Sequence, residues 1–494
     1  MDIKRSCGVL LPVSSLPSKY GIGTLGSAAY EFIDFLRDAG QSWWQILPVG
    51  PTGCGDSPYQ SFSSFAGNPY LIDPELLIAA GLLTKDEVES VSWGQADNEV
   101  DYGAMFENRP RLLSLAAKRG LAQTDESFSA FCEENRSWLH DYALYMAVKR
   151  HFGMLPWYQW EKPIRMRAPE AVRAYEELLA DEIRVYEYIQ YLFFSQWKRL
   201  SKYAHERGVG IIGDMPIYVA MDSADVWAEP EFFALDEDNV PTAVAGVPPD
   251  YFSADGQLWG NPLYAWDRLR EDGYGWWIRR VDGASRLYDV LRIDHFRGFE
   301  SYWSVPYGSK TAKNGAWCKG PGLDLVGRLT SWFSNVKFIA EDLGTLTPEV
   351  HELLRESGLP GMKVLEFAFS PEPLSDYLPH NYPENCVCYT GTHDNMPLMA
   401  WCDTAEPEQL EFAREYLGAE NVYDGVLRSG LRSRASLFIA QMQDYLALGE
   451  DSRINTPGVA YGNWRWRMTP GTLTPELAEK MRRMAYIYGR CSDE

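Results

Sequence analysis

Eight short apolar runs punctuate the chain, at 8–13, 42–49, 209–215, 290–295, 337–342, 362–369, 387–392 and 437–443. Each ends in turn-forming or polar residues, the pattern of a buried strand. Between several of them the apolar positions change to helical spacing. Ala29, Phe32, Ile33 and Leu36 fall on one helical face, and Gly40 is placed to end that helix. Strand alternating with helix predicts a parallel α/β sheet, and eight strands predict a (β/α)8 TIM barrel.

The spacing of the runs is uneven. Between the second and third, the chain is far longer than one crossover helix requires, which predicts a helical subdomain inserted at about 56–190. Within and beyond it, 182–204 reads as one long helix feeding the third strand. A second insertion, 216–275, holds the stretch 246–262, rich in Gly, Pro and aromatics, which reads as a structured loop at the active site. About fifty residues follow the eighth strand, too few for a C-terminal β-sandwich domain. The expectation is a single catalytic barrel, 1–494, carrying large insertions.

Composition narrows the functional classes. A net charge of −23 repels the phosphates of nucleic acid and of anionic membranes and suits a neutral ligand. The 18 Trp, 29 Tyr and 21 Phe supply flat apolar faces, many with a polar handle, that suit sugar rings as well as a large core. Eight scattered cysteines form no CxxC pair and read as reduced, cytoplasmic thiols. Cys386 and Cys388 alternate on one strand and read as packing. The apolar run after residues 1–5 is broken by Pro12 and is too short for a signal peptide; no stretch reaches membrane-spanning length. Seven dispersed histidines and no HExxH predict no metal.

Three of the runs carry the chemistry: Arg292-Ile-Asp-His-Phe-Arg-Gly298, Phe338-Ile-Ala-Glu-Asp-Leu-Gly344 and Tyr389-Thr-Gly-Thr-His-Asp-Asn395. They bring Asp294, Glu341 and Asp394 to strand ends, and paired carboxylates are the minimum equipment for breaking a glycosidic bond. Residues two apart on a strand share a face, so Arg292 lies beside Asp294 and should lower its pKa. Glu341 ends an apolar strand among other carboxylates, which should raise its pKa and fit it to carry a proton. Asp342 points the other way and reads as a cap for the next helix. Gly21-Ile-Gly-Thr-Leu-Gly26 matches a dinucleotide-binding pattern literally. The loop 14–20 separates it from the first strand, however, and the second strand ends without an acid, so that reading fails on context.

These segments, in this order, resemble the α-amylase superfamily. Gly50-Pro-Thr-Gly-Cys-Gly-Asp-Ser-Pro-Tyr-Gln60, Ser64-Phe-Ala-Gly-Asn-Pro69, Gly213-Asp-Met-Pro-Ile-Tyr-Val219, Gly246-Val-Pro-Pro-Asp-Tyr-Phe252 and Gly256-Gln-Leu-Trp-Gly-Asn-Pro262 resemble the 4-α-glucanotransferases of glycoside hydrolase family 77. The resemblance runs from Leu11 to Asn463. It implies a barrel without a β-sandwich, no cofactor, and Asp294 as nucleophile, Glu341 as acid/base and Asp394 as transition-state stabiliser. It further implies substrate contacts or support from Tyr59, Asp214, Trp259, Arg292, His393 and Asn463. The implied reaction is retaining transfer of α-1,4-glucan segments between maltooligosaccharides, amylose or glycogen-derived glucans, with glucose as an acceptor. The same carboxylates would serve an α-1,4-glucan hydrolase, which is the alternative. Cys54 stands where relatives often have an aromatic, a departure that leaves open whether a second sugar-stacking contact exists there.

Overall fold

The computed structural model describes residues 4–492 apart from 54, 95, 124–125, 250–252, 345 and 371–374. Cys54 and the Asp250-Tyr-Phe end of the 246–252 motif therefore lie outside the described residues. Twelve strands occur among the described residues: β1 (Ser6–Leu10), β2 (Trp43–Gln45), β3 (Gly210–Met215), β4 (Ala243–Val247), β5 (Gln257–Pro262), β6 (Val290–Ile293), β7 (Ser301–Pro306), β8 (Ala316–Lys319), β9 (Lys337–Ala340), β10 (Gly361–Val364), β11 (Cys386–Tyr389) and β12 (Leu437–Gln441).

Eight of these form one parallel sheet in the order β10-β11-β12-β1-β2-β3-β6-β9. The two outer strands meet where Ala340 N donates to Pro360 O at 2.9 Å and Met362 N to Asp342 Oδ1 at 2.6 Å, which closes the TIM barrel. Each of the eight predicted runs holds one barrel strand. All but β3, which reaches Met215, stop short of the predicted C-terminal ends because those residues turn into the rim loops that carry the chemistry.

Every second strand residue points into the barrel. Leu10, Ile212, Val290, Ile339, Met362, Val364, Val387, Leu437 and Ile439 pack there as one buried cluster. Above them comes a polar layer. Tyr389 donates to Gln45 Oε1 at 2.9 Å, and the β3–β6 register sets Asp214 opposite Arg292. The helix Ser27–Asp38 packs Phe32, Ile33 and Leu36 on the outside of the barrel, as the spacing predicts. Gly23 and Gly26 of the dinucleotide-like motif are packing glycines. A Cβ would sit 1.9 Å from Val13 O at Gly23 and 2.0 Å from Asp73 Oδ2 at Gly26.

Between β2 and β3 lie mainly helices, including Tyr102–Leu121, Leu139–His151 and the long Ala180–Glu206. Two buried glutamines on the long helix clamp the segment after β2. Gln190 bonds both N and O of Gly67, and Gln196 both N and O of Asp73. The stretch read as a structured loop is in part strand. β4 and β5 pair antiparallel and continue through β7 and β8, in the order β5-β4-β7-β8. β4 and β5 carry Ala, Gly, Asn and Pro, residues depleted in strands, so the sequence pattern hides them. After β12 the described residues form helices and turns, ending in the helix Pro475–Ile487 against Ser27–Asp38.

One buried ion pair fastens the helical insertion to the segment after β3. The Lys149 side chain is 1% exposed, and its ammonium binds Asp222, which also accepts from Tyr145 Oη at 2.7 Å and Trp157 N at 3.2 Å. Asp222→Ala strands that ammonium and should cost about 3 kcal/mol, whereas Lys149→Met with Asp222→Leu should recover most of the loss. Thermal denaturation of the single and double variants checks this.

Candidate active site

Arg292, on β6, anchors the set. Its guanidinium is buried in the polar layer, with Nε donating to Met362 Sδ at 3.3 Å. Nη1 donates to Asp214 Oδ2 at 2.6 Å and Oδ1 at 2.8 Å, and to Asp294 Oδ1 at 3.1 Å. Asp214, on β3, also accepts from Tyr59 Oη at 2.7 Å. The tyrosine ring stacks on His393 at 5.1 Å and lies 5.8 Å from the Trp464 ring. Arg292, Asp214, Asp294, Tyr59 and His393 thus form one contiguous group at the C-terminal mouth of the barrel.

The chain after Ile293 turns sharply, because His295 takes a left-handed φ of 50°. That turn aims the His295 amide at Glu341, whose Oε2 accepts it at 2.7 Å. Glu341 Oε1 accepts from Leu343 N at 2.8 Å. Further backbone bonds, Glu341 N to Ile293 O and Phe296 N to Glu341 O, lace the two strand ends together. Glu341 is therefore held by amides while Asp294 is held by a guanidinium. Trp259, on β5, sets its ring edge-on to His295 at 4.8 Å and joins the group through that histidine.

Asp394 is placed from the other side. Its Oδ1 accepts from Asn455 Nδ2 at 2.6 Å, and its carbonyl from Arg453 Nη2 at 2.9 Å. His393 Nε2 lies 3.4 Å from the same carboxylate. Asn455 and Arg453 belong to the segment after β12 and were not singled out by sequence reasoning. Nothing local marks them, since the Asn455 tie spans 61 residues of chain. Trp464 was missed as a wall beside Tyr59 and His393, although it directly follows Asn463. Asn463 does not turn its amide to the cleft. Oδ1 accepts from Thr456 N at 3.0 Å and Nδ2 donates to Val459 O at 2.9 Å, so it closes its own loop.

The electrostatics revise one expectation. Arg292 does not hold Asp294 below the usual carboxylate range. Burial pushes Asp294 well above it, and the neighbouring Asp214, Glu341 and Asp394 add to the push, while Arg292 opposes it. The physical reason is the loss of water around the carboxyl, which the Arg292 contact does not offset. Burial also raises Glu341, against Arg292 and its two backbone amides. Four carboxylates face one guanidinium, and their mutual repulsion joins burial in favouring the protonated form of Asp294. Burial holds His295 to about 3 and lowers His393, so both rings are uncharged. Asp342 does not cap the next helix. It accepts from Met362 N and ties β9 to β10.

A family model described as 4-alpha-glucanotransferase, glycoside hydrolase family 77, matches residues 11–474. The 4-alpha-glucanotransferase of Clostridium butyricum is 48% identical over 97% of this chain and 99% of its own. That of Thermus thermophilus is 47% identical over 98% and 99%. The amylomaltase from Streptococcus agalactiae, solved in complex with acarbose, superposes with a TM-score of 0.96 at 42% identity over 99% of this chain and 100% of that one. The chain belongs to the 4-alpha-glucanotransferase family.

A carboxylate whose folded pKa lies above its unfolded value disfavours folding as pH rises between the two. The folded state binds the extra proton, so ionising Asp294 at neutral pH costs stability. Asp294→Asn should therefore melt higher than wild type at pH 7, and the gap should close near pH 4, where the native carboxyl is protonated. Melting curves at the two pH values check the sign.

Proposed function

We propose that Asp294, Glu341 and Asp394 carry the retaining transfer in this 4-alpha-glucanotransferase. The Asp294 carboxylate attacks the anomeric carbon of a bound α-1,4-glucan. As the glycosidic bond breaks, the Glu341 proton passes to the departing 4-oxygen, leaving a β-glucosyl ester on Asp294. Glu341, now ionised, takes the proton of an acceptor 4-hydroxyl. That oxygen attacks the same carbon, the ester breaks, and two inversions give net retention. The productive proton arrangement has Glu341 neutral and Asp294 charged beside Arg292.

The observation that carries this reading is the His295 amide bound to Glu341. The peptide that follows the nucleophile thereby holds the acid/base, so the two act as one unit. Asp394, braced by Asn455, binds the hydroxyls of the reacting ring, with His393 beside it. Tyr59 stacks on the donor ring, and Asp214 holds the Tyr59 hydroxyl. Asn463 acts by shaping the 456–463 loop. Trp259 against His295 covers the nucleophile and excludes water, which favours sugar acceptors over hydrolysis.

Donors are maltooligosaccharides and the longer chains of amylose or glycogen-derived glucans, and glucose serves as an acceptor. The acarbose bound in the Streptococcus agalactiae relative supports an oligosaccharide ligand. The net charge of −23 disfavours nucleic acid. Among the described residues no helix is long and apolar enough to cross a membrane, and the seven described cysteines are free thiols, which suits the cytoplasm. On this reading the whole chain, 1–494, is one catalytic barrel, with 56–190 and 216–275 as insertions over its rim.

Transfer breaks one α-1,4 bond and makes another, so the number of reducing ends stays constant. Incubated with maltotriose alone, the protein should release glucose together with longer chains such as maltopentaose, with reducing ends nearly unchanged. Chromatography of the products with a reducing-end assay checks this. A rise in reducing ends that matches the glucose released, without longer chains, would assign hydrolysis instead.

A further inference from the structure

Asp394 and His393 sit on a turn that needs bracing, because its tip faces the cleft. Asn395 supplies part of the brace. Its Oδ1 accepts from Thr392 N at 2.9 Å and from Thr392 Oγ1 at 3.0 Å, and Thr392 Oγ1 accepts in turn from Asp394 N at 3.3 Å. With Oδ1 so committed, the Asn395 amide nitrogen is left for a second partner. Beside Asn395 lies the carboxyl of Glu366, on the turn Leu365–Phe367 that follows β10. Glu366 N also donates to Thr390 O at 3.2 Å, which joins the exits of β10 and β11.

Glycine at 391 permits this convergence. A Cβ there would lie 2.6 Å from Glu366 Oε1, 2.9 Å from Asn395 Cβ and 3.1 Å from Gln441 Nε2. Glu366 is 8% exposed, and its Oε1 has no hydrogen-bond partner. Around it stand the carboxyls of Asp444 and Glu450, the Arg453 guanidinium and the Cys402 thiol. Asp444 is already engaged by Thr390 Oγ1 and Leu398 N. Arg453 serves the Asp394 carbonyl and Glu450. No ion pair reaches Glu366 among the described residues.

We propose that Glu366 is a positioning residue for the transfer: through Asn395 it holds the 392–395 turn and so aims His393 and Asp394 at the reacting ring. It does this as an uncharged acid. A buried carboxylate with an orphaned oxygen and no cation is costly, whereas the protonated form is not. Burial first, and Asp444 next, push its pKa far up. The inference rests on the role proposed above for Asp394.

The test is maltotriose disproportionation across the pH range by wild type, Glu366→Gln, Glu366→Ala, Asn395→Ala and the double Ala variant. Glutamine is a neutral isostere, so it should keep kcat within about threefold of wild type, with both limbs of the pH profile in place. Glu366→Ala should lower kcat about 10- to 100-fold with little change in KM, because a small misplacement of a stabilising carboxylate costs that much. The double variant should be no slower than the slower single one, since both side chains act through one turn. Should Glu366→Ala not fold, Glu366→Asp, which withdraws the carboxyl from Asn395, takes its place. Wild-type kcat in the Ala or Asp variant would overturn the proposal. So would a Gln variant as slow as Ala, or one with pH limbs shifted to lower pH, since that shift means the native group works as a charge. A wild-type enzyme unable to disproportionate would instead sink the functional reading itself.

Discussion

A single buried guanidinium serves a cleft lined by four carboxylates, and the arrangement of the whole site follows from that imbalance. Arg292 is placed by strand register, since parallel pairing of β3 with β6 sets it opposite Asp214. Asp214 takes the closest contacts, and Asp294 takes the longer one. Glu341 must then be held without a cation, and the amides of His295 and Leu343 do so. Asp394 is held without one as well, by the neutral amide of Asn455. Burial with so little positive charge raises Glu341 as well as Asp294, and a raised carboxyl is what a general acid needs.

This deficit sits on a rigid support. The barrel interior below Arg292 is a close-packed layer of Val, Ile, Leu and Met, so the charged layer cannot sink into it. The loops above are tied down by contacts between distant parts of the chain. Tyr59 comes from the segment after β2, His393 from the exit of β11, Asn455 and Trp464 from the segment after β12. Each of these loops alone would be mobile, and their mutual stacking and hydrogen bonding preorganise the cleft. The energy of folding is drawn from the apolar barrel and spent on a polar rim.

How legible all this was in the sequence depends on range. The strand ends bearing Asp294, Glu341 and Asp394 were readable because an apolar run followed by an acid and a glycine is a local signal. Arg292 was readable as the neighbour of Asp294 for the same reason. The upward shift of Asp294 was not, because the burial that drives it, and the carboxylates of Asp214, Glu341 and Asp394 that add to it, come from distant parts of the chain. Asn455, Arg453 and Glu366 were invisible for a related reason. Each is an ordinary polar residue locally and acquires its role only through the fold. The rim strands β4 and β5 were read as loop because their Gly, Asn and Pro are turn signals by sequence, and only the antiparallel pairing makes them strands. Asn463, which the resemblance implied as a substrate contact or support, binds Thr456 and Val459 within its own loop, a tie no local sequence signal announces.

The central claim is that Asp294 becomes covalently linked to the glucan. Glu341→Gln treated with an α-maltooligosaccharyl fluoride isolates that step. Fluoride departs without acid help, and the missing base leaves the ester with no route to an acceptor. Peptide mapping by mass spectrometry should find the glucosyl adduct on the peptide containing Asp294, and the adduct should vanish in the Asp294→Asn background. Fluoride release without any adduct, or an adduct carried by Asp214 or Asp394, would contradict the account.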